Sequence, residues 1–597
     1  MPRISKTRIN QRLVVVLFFG LLLGSGVLLF DDYGMSWDER FNALRGELYL
    51  DYFLHRDPAV LQNYIQKYFG PFPEVLMSLV TRSSGLDKDT RSLFLARHFM
   101  NFLIFYAGTV FLYLLGRRVF GDWRAGLLGS LFLILSPRFF AQGFYNVKDV
   151  SLLTAVVISM FTLHRFLENP TPVRLALHAL ACAVATDVRI MGCITVFLTG
   201  VAFVLILGQN RRDSKKLLRF LTSGLVFFLL WFALTVVFWP PLWKSPLSSF
   251  LHALAKASTF PWGGKVFYLG KFITDSDLPW HYLPVWIAIT APVLYVGSSI
   301  LGVGACFSDL FKHSSDSLKR IFSSVILLWF FLPVLAVILG HFPAHDEYRH
   351  VFFIYPALLL LSLKGLFLIP AFLRWITGGK FLQLRRVTLP ALLVVGLLPV
   401  GHFMVKNHPF EMVYFNRLAG KNLAQVAHKF EMDYWGLSYR RGLEYLLRHD
   451  SAEKIKIQVA NLLPGKLNAS ILRPEERKRL VFVQKAEASL VVELSPGLVR
   501  FLEMNPGKYS YRESERRLVI RGRMTSQERD ELRKIYPGMS EAVKKLFLSS
   551  KQVGKAKYFL TIHRLHPQDY PMEKVFSVTV GGAHILDVYR VPQETQD

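Results

Sequence analysis

Apolar stretches of about twenty residues recur along most of this chain, each long enough for a helix to cross a hydrocarbon layer roughly 30 Å thick. Lipid offers no water to a bare backbone, so such segments must fold as helices that satisfy their own N–H and C=O groups. The stretches fall near 13–30, 93–116, 125–142, 150–167, 173–188, 190–209, 219–239, 282–305, 321–340, 350–371 and 388–405. They predict a polytopic α-helical membrane protein with about eleven transmembrane helices over residues 1–405. The basic start (Arg3, Lys6, Arg8, Arg12) before the first stretch has the outline of a signal peptide. It lacks a small-residue cleavage site and many spans follow, so an uncleaved first helix is expected.

Composition agrees. Of 597 residues, 52% are hydrophobic and 14% aromatic, and the mean hydropathy of +0.32 is too high for a soluble protein of this size. The 71 Lys+Arg outnumber the 43 Asp+Glu, for a formal charge of +28. This excess sits in short segments between spans, as the positive-inside bias requires, which argues against a nucleic-acid partner. With the N-terminus in the cytoplasm, five basic clusters all fall in cytoplasmic loops. They are Arg117/Arg118/Arg124, Arg165/Arg174, Arg211/Arg212/Lys215/Lys216, Lys312/Lys319/Arg320 and Arg374/Lys380/Arg385/Arg386. Cys182, Cys193 and Cys306 lie in apolar spans and read as packing residues.

The opposite loops, 31–92 and 240–281, are long and carry acidic, aromatic, Pro and Gly residues. Long ordered loops usually carry function. Phe238 to Trp243 (FWPPLW) fits an interfacial aromatic belt, and Lys256, Trp262, Gly263, Gly264, Lys265 and Lys271 are candidates to shape substrate entry. From 406 to 597 a soluble α/β domain is expected on the side opposite the N-terminus, with strand runs at Ile455–Ala460, Leu480–Val483 and Ser489–Leu494. A hairpin is expected around Gly581-Gly582, and a helix after the capping box Thr525-Ser526-Gln527-Glu528. The domain reads as a cap or acceptor-docking module. The sequon Asn468-Ala469-Ser470 carries little weight.

Three clusters on the outer side could carry chemistry. Asp31-Asp32-Tyr33-Gly34-Met35-Ser36-Trp37-Asp38-Glu39-Arg40 follows the first span; its carboxylates could bind a cation or act as general bases, or Ser36 and Glu39 could cap a helix. Asp149, beside Lys148 at the head of the fourth span, is a functional candidate because a desolvated charge is costly; otherwise it caps that span, neutralised by Lys148. Asp187 and Arg189, at the turn between the fifth and sixth spans, read as an internal ion pair. His341 to His350 opens the tenth span. There His345, Asp346 and His350 could hold a divalent cation, although the spacing is not diagnostic. Arg349 suits a phosphate, because a guanidinium offers two parallel hydrogen bonds and keeps its charge, or it anchors the span at the interface.

Taken together and in this order, the Asp38-Glu39 pair, Asp149, and Tyr348-Arg349 before Tyr355-Pro356 resemble the GT-C superfamily of membrane glycosyltransferases. Protein O-mannosyltransferases and the lipid A aminoarabinose transferase are the nearest likenesses. His408 to Gly420 and Phe430 to Leu446 look like the junction into the soluble domain of bacterial members. The resemblance implies a bacterial inner-membrane enzyme that passes a sugar, with inversion, from a polyprenyl-phosphate donor to a lipid, glycan or protein acceptor on the periplasmic side. It implies Asp38 as base, Glu39 beside it, Asp149 as the second acidic motif, and Arg349 at the donor phosphate; on physical grounds Arg349, helped by Lys148 or His350, could supply the preorganised positive charge that a departing phosphate needs. One departure is clear. Where relatives of the lipid A transferase carry Pro-Pro-Leu with a nearby lysine, this chain reads Tyr68-Phe69-Gly70-Pro71-Phe72-Pro73-Glu74.

The rival from another class is a transporter or lipid flippase, whose charges belong near the bilayer midplane within inverted repeats. Here they crowd at the outer mouth. A third reading is a noncatalytic assembly subunit whose carboxylates only cap helices.

Overall fold

The computed structural model describes residues 6–57, 59–62, 69–258, 264–311, 317–376, 382–483, 487–491, 495–504, 509–512, 517–521, 531, 535, 556–564, 570 and 572–592. Contacts divide the chain into two units. The first is Met1–Leu437 with His563–Pro567 and Thr579–His584, and the second is Ser438–Ile562, Gln568–Val578 and Ile585–Asp597. Residues 406–437 therefore group with the membrane helices.

In the first unit, α1 (Lys6–Leu29) is followed by the loop helices α2 (Glu39–His55) and α3 (Phe72–Ser83). Then come α4 (Thr90–Phe120), α5 (Trp123–Ile134), α6 (Pro137–Tyr145), α7 (Val147–Glu168), α8 (Pro172–Val188), α9 (Ile194–Gln209) and α10 (Ser214–Phe238). The 240–281 loop holds α11 (Pro246–Ser258), and beyond it lie α12 (Tyr282–Thr290), α13 (Val293–Phe311), α14 (Ser317–Leu339), α15 (Tyr355–Ile376) and α16 (Leu382–Asn407). Side-chain caps fix several starts: Asp89 accepts from Ser92 N–H, Asn146 from Asp149, Thr171 from Arg174 and Asp213 from Lys216.

Among the described residues nine helices are long and apolar enough to cross a membrane. Two of the expected spans are corrected. Span 125–142 is not one helix: α5 and α6 meet at 72°, because Pro137 forces Ser136 out of the helical region (φ −103°, ψ 94°). Counted as one span, that bent pair makes ten. Likewise, span 282–305 breaks where Ala291, extended at ψ 147°, precedes Pro292. The fifth stretch is α8, of 17 residues.

Helices α13 and α15 approach most closely through small residues. A Cβ on Gly302 would lie 1.8 Å from the Leu361 carbonyl oxygen, and one on Gly365 1.8 Å from that of Ser298. The Ser298 and Ser362 hydroxyls, 2.6 Å apart, close the same seam.

In the 31–92 loop α2 lies against α3, where Gly46 leaves no room for a side chain beside the Glu74 carbonyl, 2.3 Å from a Cβ built there. Arg45 and Glu74 form a fully buried ion pair at 2.8 Å. In the second loop β1 (Lys265–Tyr268) and β2 (Lys271–Thr274) form a hairpin through Leu269 and Gly270, both at positive φ. Its backbone bonds to the 429–431 segment: Gly270 N–H donates to Lys429 C=O (3.0 Å) and Phe267 N–H to Glu431 Oε1 (3.2 Å).

The second unit carries α17 (Tyr439–His449), which buries Tyr439, Leu443, Leu446 and Leu447 on one face. Its five-stranded sheet has β3 (Ile455–Val459) between β4 (Leu480–Phe482) and β8 (Tyr558–Ile562), both parallel to it. β10 (Ala583–Arg590) pairs antiparallel with β8, and β9 (Glu573–Val580) flanks β10. As expected, Gly581 and Gly582 turn that hairpin at positive φ. A second sheet of β5 (Glu487–Val491), β7 (Arg517–Arg521) and β6 (Tyr509–Arg512) is antiparallel. The expected capping box at 525–528 and the helix after it, apart from two helical residues, lie outside the described residues.

The Arg45–Glu74 pair should dominate the stability of the first loop. Glu74→Ala strands a buried guanidinium and should cost on the order of 3–5 kcal/mol. Asp51→Ala, which removes the half-exposed partner of Arg82, should cost about 0–1 kcal/mol. Thermal melting of the detergent-solubilised protein would order the two.

Candidate active site

The chain between α1 and α2 is pinned at both ends. Tyr33, fully buried, donates to Glu411 Oε2 at 3.1 Å, and His408 bridges Asp32 (3.0 Å) and Glu411 (2.6 Å). Burial opposes charging of that imidazole, but both carboxylates outweigh it and raise its pKa. Three residues before α2, Ser36 N–H donates to Glu39 Oε1 at 2.6 Å, half of the expected capping box. The N-cap position itself is Asp38, whose side chain makes no cap bond. Glu39 turns inward to His98 at 2.8 Å and is 5% exposed. The two carboxylates of the acidic pair thus do different work: Glu39 holds the loop, whereas the Asp38 side chain stays 33% exposed and faces Arg349.

Arg349 is the hub. Its Nη1 lies 3.2 Å from Asp38 Oδ2 and 3.9 Å from Asp149 Oδ2, and its Nη2 lies 3.0 Å from both Asp346 Oδ2 and His345 Nε2. The Trp435 ring covers the guanidinium at 5.0 Å. Burial raises the Asp38 pKa, but the charges of Arg349, Lys148 and Arg189 outweigh it and hold the carboxyl below its usual range.

Asp149 is buried and held by Arg189 at 3.2 Å and by the Asn146 side-chain amide at 2.9 Å. The neutralising partner expected from sequence, Lys148, points elsewhere: its Nζ stacks over Phe69 at 4.7 Å, with Arg45 over the same ring at 4.6 Å. Asp187 and Arg189 are not an ion pair. Asp187 accepts from Phe72 N–H at 2.8 Å and sets the start of α3, leaving Arg189 to Asp149.

The segment before Arg349 is strained. Asp346 and Glu347 adopt φ of 54° and 61°, a left-handed pair costing roughly 1–2 kcal/mol per residue away from glycine. Buried contacts hold it there. Glu347 binds Arg138 of α6 and the Tyr434 hydroxyl, each at 2.8 Å. Asp346 binds Arg564 at 2.6 Å as well as Arg349. Glu431, 1% exposed, stands 3.8 Å from Arg564, and burial pushes its pKa up to about 7 despite that charge.

As metal ligands His345 and Asp346 fit poorly, since both carboxylate oxygens and the imidazole Nε2 already face arginines. Among the described residues no three His, Cys, Asp or Glu side chains are grouped to hold a cation. Burial and the Arg349 charge also lower His345 to about 4, so its imidazole is neutral. His350 packs edge-on against His345, ring centres 4.5 Å apart. Lys265 and Lys271 are exposed on the β1–β2 hairpin, outside the arginine cluster's contacts. Tyr68 lies outside the described residues.

Sequence reasoning missed Arg189, Glu431, Trp435 and Arg564 as parts of this cluster. Asp433-Tyr434-Trp435 stood in a segment expected to be only a junction. Nothing in the sequence linked Arg564, more than two hundred residues downstream, to Asp346.

Residues 91–239 match the family described as dolichyl-phosphate-mannose-protein mannosyltransferase. No curated protein sequence matches the chain significantly. Among solved structures the chain is similar to the archaeal oligosaccharyltransferase AglB from Archaeoglobus fulgidus, in complex with an inhibitory peptide and a dolichol-phosphate. That similarity has a TM-score of 0.48 at 12% identity, over 94% of this chain and 70% of that one. It is also similar to ArnT from Cupriavidus metallidurans bound to undecaprenyl phosphate, with a TM-score of 0.43 at 14% identity, over 97% of this chain and 99% of that one. For the arabinosyltransferase EmbB from Mycobacterium smegmatis the TM-score is 0.32 at 14% identity, over 71% and 44%. The sequence match spans α4 to α10 and includes Lys148, Asp149 and Arg189.

Proposed function

We propose that the chain transfers a sugar, with inversion, from a polyprenyl-phosphate donor to an acceptor hydroxyl at the outer, periplasmic face of a bacterial inner membrane. The observation that carries this reading is the Asp38–Arg349 pair: a partly open carboxylate 3.2 Å from a buried, permanently charged guanidinium. In the reaction the acceptor oxygen attacks the anomeric carbon from the face opposite the phosphate. The bond from that carbon to the phosphate oxygen breaks, and its electron pair leaves with the phosphate.

Asp38 takes the hydroxyl proton as the new bond forms. Arg349, with Lys148 nearby, stabilises the growing phosphate charge. The Asp38 carboxylate, held below its usual pKa by the neighbouring cations, is ionised at neutral pH and so able to accept a proton. Glu39 supports by fixing the loop, and Asp149 by fixing Arg189 beside Arg349. The positions of Arg45 and Lys148 over Phe69 supply positive charge beside the loop that lacks a lysine. The Lys/Arg bias supports a cytoplasmic N-terminus. Donor and acceptor are tested by acceptor-dependent release of polyprenyl phosphate from purified protein in nanodiscs, and orientation by a fusion reporter at the C-terminus.

Asp38→Asn should lose on the order of 10² to 10⁴ in turnover while binding donor nearly as the parent does; parent-like turnover would remove the base assignment. Arg349→Lys keeps the charge but loses the fork and should lose on the order of 2–4 kcal/mol of transition-state stabilisation, read as kcat/KM. The pH profile gives a third expectation. Because cations depress the Asp38 pKa, its acid limb should lie below the ordinary aspartate value of about 3.9. Lys148→Met removes one of those cations and should move the limb upward. An unmoved limb would show that another group sets it.

A further inference from the structure

The Arg349 cluster has an uneven charge balance. Asp38, Asp149 and Asp346 face Arg349, Arg189 and Arg564, with Lys148 alongside. Asp346 is the carboxylate closest to Arg349, at 3.0 Å, and is itself buried, with its side chain 10% exposed. Left alone, a carboxylate at that distance would cancel most of the charge that Arg349 could offer a phosphate, and would repel the phosphate directly. Arg564 prevents this. Its Nη2 sits 2.6 Å from Asp346 Oδ1, on the oxygen that Arg349 leaves free.

Arg564 is held for this contact rather than merely near it. Its backbone carbonyl accepts from Met432 N–H at 3.0 Å. Its other acidic neighbour, Glu431, is 3.8 Å away and is pushed toward neutrality by burial. Asp346 is therefore the carboxylate that Arg564 chiefly satisfies. The left-handed backbone at Asp346 points the same way, since a strained carboxylate persists only where its contacts over-determine it.

We propose that Arg564 is a positioning residue for the lipid-phosphate donor: by neutralising Asp346 it leaves the cluster around Arg349 with net positive charge toward the phosphate. The inference rests on the donor assignment made above. It names a residue far from the apolar spans and far from the acidic motifs. Its contribution reaches the phosphate through Asp346 and Arg349, without direct contact.

The test measures the affinity of undecaprenyl phosphate for the full-length protein in nanodiscs, with melting temperature followed in parallel. Arg564→Gln leaves Asp346 unopposed and should weaken binding on the order of tenfold, the effect of one nearby charge in a partly screened site. The double variant Arg564→Gln/Asp346→Asn removes both charges and should return to within about threefold of the parent. A merely structural role for Arg564 predicts no such rescue. Parent-like affinity in Arg564→Gln overturns the proposal, as does a double variant as weak as the single one. If Arg564→Gln shows no folding transition, Arg564→Lys decides: with its charge kept it should bind within about threefold of the parent, and a tenfold loss in the folded protein overturns the charge argument. A parent that does not bind the lipid phosphate overturns the donor assignment instead, which separates the two failures.

Discussion

A buried guanidinium has to be neutralised, and Arg349 draws its counter-charges from three separate stretches of chain. Asp38 comes from the loop after α1, Asp149 from the head of α7 and Asp346 from the strained segment before α15. Removing an ion from water costs several kcal/mol unless partners surround it. That cost ties the ends of three membrane helices together at one face. It also explains why each partner has its own support: Glu39 on His98 behind Asp38, Arg189 and Asn146 around Asp149, and Arg564 on Asp346.

The supporting contacts sort the acidic residues by accessibility. Asp149 and Glu39 are enclosed and hydrogen-bonded, so a proton delivered to either would have to break an ion pair or a buried hydrogen bond. Asp38 keeps an open side while still feeling the field of Arg349 and Lys148. The same geometry places a potential proton acceptor and a fixed positive charge within one reacting group's length of each other.

Much of this was legible in the sequence. Apolar periodicity and the Lys/Arg bias located the spans, because lipid permits few solutions. The Asp38-Glu39, Asp149 and Arg349 signals stood out because charged groups beside apolar helices are costly enough to be conspicuous. Ser136-Pro137 and Ala291-Pro292 each break what hydropathy alone reads as a continuous span, since a window average does not see one residue driven from the helical region. Long-range pairing was out of reach. Arg189 beside Asp187 looks like a local ion pair until the fold shows Asp187 capping α3, and no spacing rule connects Arg564 to Asp346.

The bend between α5 and α6 bears on how the protein is made. With 12 and 9 residues, neither piece can cross a bilayer alone, and α6 carries Arg138 and Gln142 wholly buried. An insertion machinery that tests one segment at a time against lipid has little reason to accept α6. It must be drawn in by neighbours that already stand in the membrane, among them α4, whose Asn101 amide donates to the Gln142 carbonyl, and the 347 segment, whose Glu347 takes Arg138. Because residue 347 is synthesised some two hundred residues after Arg138, this part of the bundle can close only once most of the membrane helices have emerged. The arginine cluster would then be among the last features of the protein to assemble.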